Sequence, residues 1–143
     1  MYTEIIWWGK QMKATPNGRH DGDYISQGLT PSRLHQIKSV TDVFSGLRHT
    51  DMTELSSGSV INVVLPAMSV NGDVLDAFFR GCAKAGTHIM QVNCVRREEL
   101  EAAMQHPEDY GHIIVRACGF SAPFVSLSSE FQKEFLTRNF YES

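Results

Sequence analysis

Val115-Arg116-Ala117-Cys118-Gly119-Phe120-Ser121-Ala122-Pro123-Phe124 is the stretch on which the reading of this chain turns. A largely apolar run over residues 112–117 leads into it, Cys-Gly-Phe-Ser interrupts that run, and a segment of helical spacing follows. This order predicts a buried strand, a tight turn at Gly119 and a final helix. Glycine suits such a turn because it lacks a Cβ and reaches backbone conformations closed to other residues.

Working outward, Ser129 with Gln132 three places on reads as a capping box, and Phe131, Phe135 and Leu136 give the last helix one apolar face. Upstream, residues 98–105 read as a helix closed by Pro107, and residues 88–95 as a strand. Asn71 opens another helix, with Val74, Leu75, Phe78, Phe79 and Cys82 at helical spacing and Gly86 as its stop. Residues 59–65 are β-branched and apolar around Asn62, and Pro66 closes them as a buried strand. From Ser39 a short helix carries Val40, Val43, Phe44 and Leu47 as its stripe. Three strands with helices between them predict a small α/β unit, residues 111–117 being the third strand.

Residues 9–38 differ. Pro16-Asn17-Gly18, Asp21-Gly22, Gly28 and Pro31 punctuate a segment with few periodic apolar positions. So long an irregular stretch is either functional or laid over a larger body. Trp7, Trp8, Phe120, Phe124, Phe140 and Tyr141 gather near the ends and the Gly119 stretch, the pattern of an aromatic partner interface.

Composition narrows the class. The chain has 143 residues, 42% hydrophobic and 20% charged, which is one-domain size and argues against wholesale disorder. A net charge of −3 makes no electrostatic case for nucleic acid or an anionic membrane as a partner. Apolar runs fall short of the roughly 20 residues of a membrane span, and the N-terminus lacks the basic and apolar regions of a secretory signal, so a cytoplasmic protein is expected. Cys82, Cys94 and Cys118 are too widely spaced for a metal knuckle, and His106 and His112 lack the spacing of a zinc pair, so no metal in this chain is expected.

The central stretch resembles the radical loop of glycyl radical enzymes, which runs Arg, a small residue, Ser/Ala/Cys, Gly, Tyr/Phe, Ser/Ala, with a Phe a few places on. The likeness extends further. Ala14-Thr15-Pro16-Asn17-Gly18-Arg19 resembles the segment preceding the radical domain in pyruvate formate-lyase-like members. His88-Ile89-Met90-Gln91-Val92-Asn93-Cys94-Val95 resembles their His-x-x-Gln-x-Asn-Val-Val strand, and His106-Pro107-Glu108-Asp109-Tyr110 their His-Pro-Glu-x-Tyr. Arg96, Cys118 and Arg138-Asn139 depart from the common pattern.

The resemblance implies an α/β fold equivalent to the C-terminal portion of the family's barrel. One glycine radical domain over residues 1–143 is expected: an extended segment 9–38, an α/β part 39–111, and the radical loop with its terminal helix 112–143. Gly119 would store a radical on its Cα, where overlap with the flanking amide and carbonyl demands a planar centre free of a side chain. Arg116, Cys118, Phe120, Ser121 and Phe124 would support the loop: Arg116 anchoring the strand, Phe120 and Phe124 packing into a partner, with simple core or ion-pair roles as the alternative. Gln91 and Asn93 would contact the loop or line a pocket, or only satisfy neighbouring strands.

The resemblance also implies partners. A radical S-adenosylmethionine activating enzyme with an iron–sulfur cluster would install the radical, and a cysteine far upstream in the family would receive it. None of the three cysteines fits that position. The expected protein is therefore the radical-bearing small subunit of a two-piece enzyme, a lyase, dehydratase, decarboxylase or formate acetyltransferase inactive alone, whose large subunit carries the cysteine. A spare-part cofactor protein that repairs an oxygen-cleaved enzyme, and a non-catalytic regulatory or assembly domain, are the alternatives.

Overall fold

The structure, a computed structural model, describes residues 4–37, 39–56, 58–65, 71–117 and 119–141. Its elements in chain order are α1 (Glu4–Gln11), α2 (Val40–Leu47), β1 (Val60–Leu65), α3 (Gly72–Lys84), β2 (Ile89–Cys94), α4 (Arg97–Gln105), β3 (Ile114–Arg116), β4 (Ser121–Pro123) and α5 (Ser129–Leu136). They belong to a mixed α/β fold. They gather into two compact units, one built from residues 1–26, 32–35 and 97–138, the other from 27–31, 36–96 and 139–143. The extended segment 9–38 is thus shared between both.

In the second unit, β1 and β2 pair in parallel from Val60↔Ile89 to Leu65↔Cys94, with α3 as the crossover between them. Parallel pairing requires such a crossover, and the asparagine cap supplies its start: Asn71 accepts from the Val74 N–H at 2.9 Å. Alternation sorts the two faces of the sheet. Ile61, Val63 and Leu65 enter the core with Val43 and Leu47 of α2 and Phe78 and Cys82 of α3. Asn62 lies on the other face, where its Nδ2 donates to Gln27 Oε1 and Thr30 Oγ1. Segment 27–31 closes in at Gly28, whose absent Cβ would stand 2.4 Å from the Val60 carbonyl oxygen.

In the first unit, α4 packs against α5 and the 3-10 turn Phe124–Ser126. Leu100, Ala103, Phe124, Phe131 and Phe135 are fully buried there. Arg19 organises the loop that carries it: its guanidinium donates to the carbonyls of His20 at 3.2 Å, Asp23 at 2.9 Å and Lys13. The Pro-Asn-Gly-Arg turn is therefore wound about a buried cation whose charge is spread over main-chain dipoles.

Several expectations need correction. The third strand shrinks from residues 111–117 to Ile114–Arg116, and does not join β1 and β2. It pairs instead with β4 across the tight turn at Gly119. The cap of α5 is Ser128, not Ser129: the Ser128 side chain accepts from the Phe131 N–H, so there is no box with Gln132. Val74 and Phe79 of α3 are exposed, since only the Phe78 and Cys82 side of that helix meets the core. Helix α1 was not anticipated; Ile5, Ile6 and Gly9 face inward while Trp7 and Trp8 face out. Pro66, read as the strand's stop, and Cys118 lie outside the described residues.

Candidate functional site

The stretch 115–124 forms an antiparallel hairpin. Ile114, Val115 and Arg116 pair with Pro123, Ala122 and Ser121, and beyond the ladder the Ala117 N–H donates to the Phe120 carbonyl at 2.9 Å. Gly119 lies at the tip. A tight hairpin turn calls for a positive φ, and Gly119 supplies it at +94°. A Cβ built on Gly119 would meet nothing within 4 Å, so the backbone conformation, not crowding, selects glycine within this chain.

The hairpin is two-sided. Ile113, Val115 and Ala117 are buried, whereas Ile114, Arg116, Gly119, Phe120 and Ser121 are exposed. Arg116 Nη1 donates to Ser121 Oγ at 3.4 Å, linking the two strands just behind the tip. Phe120, beside the glycine, is 39% exposed. Phe124 behaves differently from a partner-facing residue: it is fully buried, edge-on to Phe135 at 6.0 Å, and belongs to the core. Cys118 lies outside the described residues.

Two sets of groups at the hairpin's base escape a sequence reading. Gln132 Nε2 donates to the Phe124 carbonyl at 3.0 Å, a bond between α5 and the 3-10 turn that follows β4. Fully buried Glu134 accepts from Arg138 at 3.2 and 2.9 Å and from Arg33, while Arg138 stacks 4.4 Å from the Phe135 ring. The i,i+4 spacing of Glu134 and Arg138 is visible in the sequence. Arg33, 101 positions from Glu134, carries no such signal. Desolvation of Arg33 lowers its affinity for the proton, opposed by the Glu134 charge.

Gln91 and Asn93 belong to the second compact unit, on β2, and the hairpin to the first. Asn93 is buried, and the Gln91 Oε1 is buried without a hydrogen-bond partner. Neither described thiol is primed for radical or nucleophilic chemistry. Cys82 is buried with its Sγ 3.1 Å from Met90 Sδ, and burial pushes its pKa up to about 11. Cys94 is exposed at the end of β2, and partial desolvation holds its thiol somewhat above the ordinary value. A cleft of about 750 Å³ opens in the first unit beside Arg19, Tyr24 and Arg33, and no hairpin residue lines it.

A mixed α/β segment that displays a glycine in the left-handed region at an exposed hairpin tip is the class the structure defines. The chain belongs to the glycine radical family: the family described as "Glycine radical" matches residues 25–125. It is 31% identical over 96% of its length to the isethionate sulfite-lyase of Desulfovibrio desulfuricans. Among solved structures it is similar to the B12-independent glycerol dehydratase of Clostridium butyricum, with a TM-score of 0.88 at 27% identity over 99% of the chain. It is also similar to the hydroxyproline dehydratase of Clostridioides difficile, with a TM-score of 0.84 at 27% identity over 97% of the chain. The chain spans only 17% of the sulfite-lyase and 18% of each dehydratase chain.

Proposed function

We propose that this chain is the radical-bearing small subunit of a two-piece glycyl radical enzyme, with the radical stored on Gly119. The observation that carries the reading is the hairpin tip: a glycine at φ +94°, exposed, with open space where a side chain would stand. That geometry fits a Cα radical, since no substituent forces the centre from planarity and the flanking amide and carbonyl can both share the unpaired electron.

The chain's own residues place the tip. Arg116 and Ser121 hold the strands together behind it, and Val115, Ala117 and Phe124 root the hairpin in the core. The radical would be installed by loss of one Gly119 hydrogen atom to an activating enzyme that uses S-adenosylmethionine and an iron–sulfur cluster. In turnover, a hydrogen atom passes from a cysteine thiol to the Gly119 Cα, restoring the C–H bond and leaving the unpaired electron on sulfur. Cys82 is unsuited to that exchange because it is sequestered among apolar groups. The cysteine is assigned to a large subunit, which would also cover the exposed tip against dioxygen.

The similarity reaches across 96–99% of the chain, well upstream of the hairpin, which favours a dedicated subunit over a spare part. The names of the relatives describe a sulfite-lyase and dehydratases acting on small hydroxylated compounds, and a lyase of that kind is the proposed reaction class. The test is anaerobic electron paramagnetic resonance of the chain with its large subunit, activating enzyme, reductant and S-adenosylmethionine. A glycine-centred doublet that is lost in Gly119→Ala supports the proposal. A wild-type sample without the doublet, or a doublet that survives the substitution, refutes it.

A further inference from the structure

The ladder that carries Gly119 is only three pairs long, so its position depends on what holds its base. One further pairing lies behind it: the Phe124 N–H donates to the Ile113 carbonyl at 2.8 Å. The carbonyl of the same residue is held from the other side. It accepts the Leu127 N–H at 3.2 Å and Gln132 Nε2 at 3.0 Å, while the Phe124 ring is buried against Phe135. Gln132 is itself 9% exposed, between Phe131 and Phe135 in sequence on a helix face otherwise given to burying aromatics. A carboxamide there is unfavourable unless it is hydrogen-bonded, and its bond goes to the first residue of the 3-10 turn just beyond β4.

We propose that Gln132 is a positioning residue for Gly119: its carboxamide holds the Phe124 carbonyl and so fixes the base from which the hairpin projects. The role toward the radical rests on the function proposed above, whereas the clamp itself does not. α5 is a firm anchor for it. Ser128 caps the helix, and Glu134 ties it to Arg33 and stabilises its last turn through Arg138. A neutral amide–carbonyl bond is also modest in strength, which leaves the tip able to leave its seat and return.

The test is residue-resolved hydrogen exchange on the 143-residue chain. Gln132→Met keeps the bulk and removes the donor, and the Ala117 and Phe124 amides are expected to exchange about tenfold faster, with the α4 amides of Ala103 and Met104 unchanged. Gln132→Glu, similar in shape but unable to donate when ionised, is expected to behave the same way and serves if the first variant does not fold. Wild-type protection of both amides in either folded variant overturns the clamp. With activating enzyme present, the glycine-centred signal is expected to grow faster in Gln132→Met than in wild type, and equal rates overturn the positioning role. Absence of any signal in wild type refutes the radical function instead, and hydrogen exchange alone then decides whether Gln132 sets the hairpin.

Discussion

Gly119 holds a conformation that costs an L-residue strain but meets no steric obstacle within this chain. Gly119→Ala is therefore expected to fold with a loss of about 1–2 kcal/mol, seen as a lower Tm, and to carry no glycine-centred signal. Alkaline pH probes two other residues. Burial raises Cys82 from 9.0 to about 11 and Tyr141 from 10.0 to about 12. Because the unfolded chain ionises first, it binds fewer protons than the native state across that window. Stability is thus full below about pH 9 and falls as pH rises from about 9 to 12, by on the order of 2 kcal/mol for each group. Urea unfolding at stepped pH checks this, and Cys82→Ala should flatten the lower part of the fall. The glycine was legible in the sequence because its neighbours form a motif. The burial of Phe124 was not, since an aromatic five residues beyond the turn glycine reads equally as core or interface.

At the scale of elements, caps and ion pairs decide what spacing alone cannot. The Ser128 side chain, not that of Ser129, takes an orphan N–H of α5, because Ser128 keeps an extended backbone just outside the helix. Ser128→Ala should cost about 1 kcal/mol in chemical unfolding and Ser129→Ala only a few tenths. The Glu134 cluster is more demanding. Replacing Glu134 with Leu leaves two buried guanidiniums without their carboxylate, and a loss of about 3–5 kcal/mol is expected, against a much smaller loss for the exposed pair partner Asp76→Ala. Helices α2 and α3 were legible because apolar spacing and caps agreed, and α4 because Pro107 marks its end. Helix α1 was not, because Ile5-Ile6-Trp7-Trp8 is apolar on every side and shows no stripe. Strand β4, Ser-Ala-Pro, has little strand propensity of its own and exists because the turn at Gly119 folds it back onto β3.

For the molecule as a whole, the surface is the telling feature. Trp7 and Trp8 are 54% and 51% exposed, and with Phe79, Ile89, Ile114 and Phe120 they leave more apolar side chains in solvent than folding alone explains. They are the chain's two tryptophans, so its fluorescence reports on α1 directly. Emission of the isolated chain should be red-shifted and strongly quenched by acrylamide. A large subunit that seats α1 should shift it to the blue and protect it; unchanged quenching in a purified complex would place that interface elsewhere on the chain. Among the described residues no helix is long and apolar enough to cross a membrane.

Local chemistry written in the sequence determined the glycine at the turn, the starts of α2 and α3, the strand segments on either side of α3 and the family itself, because each rests on neighbours a few positions apart. The tertiary structure alone decided that β3 pairs with β4 in a hairpin, that Phe124 is buried against Phe135, that Gln132 bonds the Phe124 carbonyl and that Glu134 meets Arg33. Those outcomes join residues eight, eleven or 101 positions apart, and only packing settles which buried polar group finds which partner.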